Sequence, residues 1–336
     1  MKKIIGLVLG LVVGVSLAFA DAVLINGAGA TFPYPIYSKW FDEYGKMNPG
    51  VQFNYQSIGS GGGIKQILAK TVDFGATDGP MSIDQLTQAP GRIYHIPTVM
   101  GAVVVSYNLD GINKGLKLSG DVLADIYLGK ITQWNDSRIA AQNTGVNLPN
   151  QGIVVVHRSD GSGTSFIFTD YLSSVSSDWK ARVGKATSVN WPLGLGGKGN
   201  EGVAGMIKQT SGSIGYVELA YAKQNNLPYA FLKNQSGNYI EPTLESTSKA
   251  ADGASIPEDF RVSLVNSSNP ESYPIVSFTW LLIYKQMDSP VTGKAIVDFI
   301  KWAVTDGQKY AADLDYAPLP SNVVEMIQRR LTQVKY

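Results

Sequence analysis

The sequence predicts an α/β fold in two domains, built on largely parallel sheets. Three observations predict it. Short apolar runs are each followed by a Gly/Ser/Thr-rich loop and then by a segment with helical hydrophobic spacing, and this order recurs along the chain. A chain of 336 residues exceeds what one hydrophobic core usually covers. Its 36 glycines are about 11% of the chain against a usual ~7%, and clusters of them stand in the loops that follow the apolar runs.

Residues 1–20 are read as a targeting segment. Lys2 and Lys3 give a positive start, residues 4–20 are apolar or small, and Ala18-Phe19-Ala20 fits a small-x-small cleavage site. Seventeen residues are short for a membrane span of about 20. A cleaved signal and export are therefore expected, with a mature chain starting near Asp21. The sequence has no cysteine, which rules out a lipid-modified N-terminal cysteine and any disulfide. With Lys2 and Lys3 removed, 26 basic residues face 27 acidic ones. That balance argues against a nucleic-acid partner, which calls for a basic face. It leaves room for a small anion held by local donors.

Along the mature chain, residues 22–26 read as a strand and Gly27-Ala28-Gly29-Ala30-Thr31-Phe32 as its loop. Pro33 and Pro35 suit the first turn of the helix that follows, where Tyr37, Trp40, Phe41 and Tyr44 share one face. The second unit is a strand over 51–55, the loop from Ser57 to Gly63, and a helix with Ile64, Ile67, Leu68 and Val72 on one side. A short strand over 73–78 ends in the turn Gly79-Pro80. The third unit is a strand over 152–157, the loop Arg158-Ser159-Asp160-Gly161-Ser162-Gly163-Thr164, and a helix over 165–172. Two long apolar strands, 100–109 and 274–284, are candidates for crossings between domains. Helices near 293–305 and 321–334 close the chain.

Open α/β sheets bind ligands at the carboxyl ends of their strands, and all three glycine loops lie there. A helix N-terminus exposes unpaired N–H groups and partial positive charge. Glycine admits an ion close to the backbone, and Ser or Thr adds hydroxyl donors. Three such loops point to an anion site. Arg158, between an apolar strand and a glycine loop, offers a planar fork for two oxyanion oxygens. Asp160 is placed to orient it, and the two also read as a plain structural ion pair. Asp78 stands at a strand end, where an ordinary turn aspartate is the competing reading.

The motifs GAGATFP, VDFGATD, RSDGSGTS and GLGGKGN, with residues 27–40, 57–76, 125–134, 158–165, 191–202, 214–226 and 313–320, resemble the periplasmic phosphate-binding proteins of phosphate-specific ABC transporters. The resemblance covers nearly the whole mature chain. It implies a two-lobed periplasmic-binding fold, type II-like, with a mixed, mostly parallel sheet in each lobe. Residues 21–98 plus 274–336 would form lobe I and 99–273 lobe II, with the ligand in the cleft between them. It further implies phosphate ligands at Thr31, Phe32, Ser60, Asp78, Arg158, Asp160, Ser162, Gly163 and Thr164. It implies delivery of inorganic phosphate to membrane-embedded permease subunits by a periplasmic monomer that is not an enzyme and needs no metal or cofactor. Gly61 stands where the family often has a second serine, and His157 and Ser159 differ from common neighbours of the arginine.

Three rival readings are weaker. Gly194-Leu195-Gly196-Gly197-Lys198-Gly199 spells G-x-G-x-x-G but follows Trp191-Pro192 late in the chain, not the opening strand of a dinucleotide unit. A hydrolase would have to use His95 or His157, the two histidines present, and no G-x-S-x-G elbow positions a serine. Another oxyanion, such as sulfate, fits the loops, and Asp78 is the feature that discriminates against it.

Overall fold

The computed structural model describes residues 22–113 and 115–336. The expected signal segment lies outside them. The chain runs β1 (Val23–Gly29), α1 (Tyr34–Met47), β2 (Val51–Ser57), α2 (Ser60–Leu68), β3 (Phe74–Thr77), α3 (Ile83–Thr87) and β4 (Ile93–Tyr107). It continues through β5 (Lys117–Leu118), α4 (Gly120–Tyr127), α5 (Ser137–Ala140), β6 (Val154–Arg158), α6 (Gly163–Val175), α7 (Ser177–Arg182), β7 (Leu195–Gly197), α8 (Gly199–Gln209) and β8 (Ser213–Glu218). Next come α9 (Leu219–Gln224), β9 (Phe231–Lys233), β10 (Tyr239–Ile240), α10 (Leu244–Ser248), β11 (Val276–Tyr284), α11 (Pro290–Ala303) and α12 (Ser321–Leu331). No helix among the described residues is long and apolar enough to cross a membrane.

One sheet organises the molecule, in the order β2-β1-β3-β11-β4-β8-β6-β7, and a small sheet β10-β9-β5 sits beside it. Pairing is parallel at both flanks, among β2, β1 and β3 and among β8, β6 and β7. Through the centre, β11 and β4 are antiparallel to their neighbours. The sheet is therefore mixed. Its parallel flanks are the strand–loop–helix units that the sequence displays.

β4 ties the two flanks together. All fifteen of its residues are buried. Ile93 to Ala102 pair with β11, and Val103 to Tyr107 pair with β8. The expected strand over 100–109 began too late because Pro97 reads as an interruption. In the structure Pro97 is tolerated at a register shift opposite Thr279/Trp280, where a bulge absorbs it.

Aromatic packing holds helices to the first flank. Phe53 stacks on Phe41 and packs at a tilt against Phe299, each with ring centroids 4.6 Å apart, joining α1, β2 and α11. On the second flank Phe168 of α6 stacks on Tyr216 of β8 at 4.2 Å. Gly63 lets α2 lie flat on the sheet: a Cβ there would sit 2.6 Å from the Ala28 carbonyl and 2.7 Å from that of Ala76. That close approach brings the first turn of α2 level with the ends of β1 and β3.

Candidate anion-binding cleft

The loops after β1, β2, β3 and β6 meet where the two flanks of the sheet face each other. Beyond β1, the Ala30 amide donates to the Ala76 carbonyl at 3.0 Å, which folds the chain toward Thr31. Tyr221 donates to the Thr31 carbonyl and Tyr316 to that of Phe32, each at 2.6 Å. Because a peptide unit is planar, pinning the Thr31 carbonyl also fixes the direction of the Phe32 N–H. Beyond β2, the Ile58 and Gly59 amides both donate to the Gly29 carbonyl, at 2.9 and 2.8 Å. This turn delivers Ser60 as the first residue of α2, fully buried.

Asp78 follows β3 and is 1% exposed. Its backbone N–H donates to Ser60 Oγ at 3.1 Å. Thr279 Oγ1 of β11 donates to Asp78 Oδ1 at 2.8 Å, and Ser60 Oγ lies 3.3 Å from Oδ2. Burial raises the carboxyl pKa to about 7, against the pull of Thr279, Arg158 and Ser60 toward the charged form. This is not the environment of a turn aspartate, which is solvated.

Arg158 ends β6 with its side chain buried. Asp160 accepts both Nε–H, at 2.7 Å, and Nη2–H, in a bidentate pair. Arg158 Nη1 points to Thr164 Oγ1 at 3.4 Å. Burial pushes the Asp160 carboxyl up, but its bonds and attraction to Arg158 outweigh that, and its pKa ends below the usual range. The ion pair and the anion-site readings of these residues are thus compatible: Asp160 takes one edge of the guanidinium and leaves the other toward Thr164.

Ser162 caps α6. Its Oγ accepts from the Ser165 amide at 3.0 Å, so its own O–H is free to point elsewhere. Its backbone N–H is spent on the Thr187 carbonyl at 2.7 Å. Gly163 then opens the helix, and a Cβ at that position would lie 2.6 Å from Asp78 Oδ2. The two flanks are in direct contact nearby, where the Gly61 amide donates to the Gly161 carbonyl at 2.8 Å.

All nine residues expected at the site are gathered in one cluster, eight of them buried and Asp160 partly so. Sequence reasoning missed Asn200, in the second residue of α8, which has no exposed surface. Its Nδ2 donates to Thr31 Oγ1 at 2.8 Å and to Thr164 Oγ1 at 3.2 Å, and its Oδ1 accepts from the Glu218 amide at 3.0 Å. One amide therefore joins a loop of the first flank to a helix of the second. The Gly199 amide adds a 3.1 Å bond to Asp160 Oδ1. The signal was present in GLGGKGN: β7 followed by α8 is a fourth strand–glycine–helix unit. It forms the edge of the sheet beside β6 and not the opening of a dinucleotide fold.

The histidines lie elsewhere. His95 is buried in β4 and accepts from the Met81 amide at 3.1 Å. His157 stacks on Trp191 at 4.8 Å. Among the described residues no group of three or more acidic, histidine or cysteine side chains could hold a metal.

What the arrangement can do is enclose a small oxyanion. It has the first turns of three helices, hydroxyls from both flanks, one guanidinium, and the buried carboxyl of Asp78. A sheet whose parallel flanks converge on such a cleft is the architecture of the PBP superfamily, and a family model described as a PBP superfamily domain matches residues 19–307. The chain is 50% identical over 319 residues to the phosphate-binding protein PstS of Pasteurella multocida (strain Pm70), covering 94% of this chain and 92% of that one. It is 39% identical over 341 residues to PstS of Methanocaldococcus jannaschii, covering 94% and 87%. The chain belongs to this PstS family of phosphate-binding proteins. Solved structures that share the two-lobed fold include the periplasmic phosphate-binding protein PfluDING bound with phosphate, with a TM-score of 0.73, 20% identity and coverage of 91% and 93%. A phosphate-binding protein from Stenotrophomonas maltophilia matches with a TM-score of 0.71, 19% identity and coverage of 92% and 94%.

Proposed function

We propose that this protein binds one inorganic phosphate ion between its two lobes and delivers it to the permease subunits of a phosphate-specific ABC transporter. Lobe I comprises residues 21–98 and 274–336, and lobe II residues 99–273. The protein works in the periplasm after loss of its first twenty residues, as a monomer and without catalysis. The names of its relatives support the ligand. The observation that carries the reading is Asp78, a buried carboxylate set among donors.

Thr31, Phe32, Ser60, Arg158, Ser162, Gly163 and Thr164 donate to phosphate oxygens. Phe32, Gly163 and Thr164 do so from the backbone, Ser162 from its hydroxyl. Asp160 acts through Arg158. Phosphate at neutral pH keeps at least one O–H, and the Asp78 carboxylate accepts it in a charge-assisted bond. Sulfate brings only acceptors and meets a like charge. Titration calorimetry on protein stripped of endogenous phosphate tests the reading. One phosphate should bind per chain, and the same preparation should show no turnover of p-nitrophenyl phosphate. Turnover at the phosphate site would make the protein an esterase instead.

A further inference from the structure

We propose that a second pocket, distant from the cleft, binds a small organic carboxylate with an apolar body. The pocket measures about 210 Å³ and lies between the start of β4, the loop after residue 257 and the end of α12. Tyr94, on its wall, is five residues before Val99, the β4 partner of Thr279, which puts it roughly 15 Å along the strand from the Asp78 contact.

Three guanidinium groups line it: Arg92, Arg261 and Arg330. Hydrogen bonds hold two of them, Arg261 and Arg330. Arg330 sits over the Tyr94 ring at 4.9 Å and donates to the Glu258 carbonyl at 2.8 Å and to Gln333 Oε1 at 3.2 Å. Arg261 donates to Asp259 at 2.9 and 2.8 Å and to the Met81 carbonyl at 3.1 Å. Arg92 lies over the same Tyr94 ring at 5.4 Å. Asp259 is the one carboxylate of the lining, and it is spent on Arg261. The Glu258 carboxylate stands 3.8 Å from Arg330 but is 96% exposed, so it neutralises little. Three cations against one committed anion leave the pocket short of negative charge.

His95 borders the pocket as a neutral ring. Its Nε2 accepts from the Met81 amide, so the uncharged ring carries its proton on Nδ1. Burial and the neighbouring Arg261 push its pKa down to about 3, against a smaller opposing pull from Asp259, so it stays uncharged at neutral pH. The remaining walls are Tyr94, Phe260 and Leu86. A planar carboxylate matches the guanidinium fork in two bonds, and an aromatic or short aliphatic body matches those walls. Inorganic phosphate, by contrast, has no apolar part to place there.

Chemical-shift titration of the phosphate-saturated protein tests this, with benzoate, succinate and additional inorganic phosphate as separate probes. The expected result is saturable benzoate binding that shifts Tyr94 and His95 and leaves the cleft signals in place. Arg92→Gln, at an exposed position, and Arg330→Gln should each weaken it by about tenfold, with phosphate affinity in the cleft unchanged. No saturable shift with either carboxylate, or binding in both variants as tight as in the unaltered protein, overturns the site. Tighter binding of inorganic phosphate than of benzoate at the same residues overturns the carboxylate assignment.

Discussion

Asp78 places a buried carboxylate in the proposed phosphate cleft, and on that proposal its protonation state is the selective element. Above its pKa of about 7 the group is an acceptor, which suits a phosphate O–H and opposes sulfate. Below that value it carries its own O–H and can donate, so the objection to sulfate fades. The expected outcome is that sulfate competes for the cleft more strongly at pH 5.5 than at pH 8, read by displacement of labelled phosphate. Asp78→Asn should remove most of this pH dependence. It should also relax discrimination against sulfate by about a hundredfold, on the order of 3 kcal/mol, while weakening phosphate less. Unchanged sulfate rejection in calorimetry would count against the role of Asp78. Residue chemistry was largely legible in the sequence, because Arg, Asp, Ser and Thr in glycine loops advertise themselves. What the sequence did not display is the environment. Thr279, 201 positions away, sets the geometry of Asp78, and only the folded sheet brings it there.

At the scale of elements, the cleft is a meeting of helix N-termini, and two positions govern how closely they meet. Gly163 must pass Asp78, so Gly163→Ala should cut phosphate affinity by more than about a hundredfold through a steric clash in the closed cleft. The melting temperature of the ligand-free protein should change little if the cleft can open to relieve the contact. A large loss of stability would show that closure is not separable from folding. Asn200 joins Thr31 to Thr164 across the cleft. Asn200→Ala leaves both hydroxyls and the Glu218 amide without that partner, a loss of about 1–3 kcal/mol, and should appear mainly as faster phosphate release in stopped flow. Unchanged release would make Asn200 a packing residue only. Strand–loop–helix units were readable from hydrophobic period and glycine. Strand ends were not: β1 runs on to Gly29 and β4 starts at Ile93, because glycine and Pro97 look like punctuation until a neighbouring strand pairs with them. The fourth unit, β7–α8, carries the GLGGKGN motif, but its strand is only three residues long, too short to show a period.

For the whole molecule, sheet order is the part that no local pattern contains. β11 enters between β3 and β4 from far along the chain, and β4 carries the sheet from one flank to the other. This arrangement lets two parallel flanks share a cleft while the chain crosses between them at few points, the geometry of hinge closure. The Gly61–Gly161 bond and the bonds of Asn200 join the two flanks, so opening of the cleft would have to break them. On the proposed function, closure is a response to phosphate, read through Asp78. Small-angle scattering on protein stripped of endogenous phosphate tests it most directly, at pH 8 with phosphate or sulfate added. The radius of gyration should fall with phosphate and show none of that contraction with sulfate. Equal contraction with both anions, or none with phosphate, would contradict it.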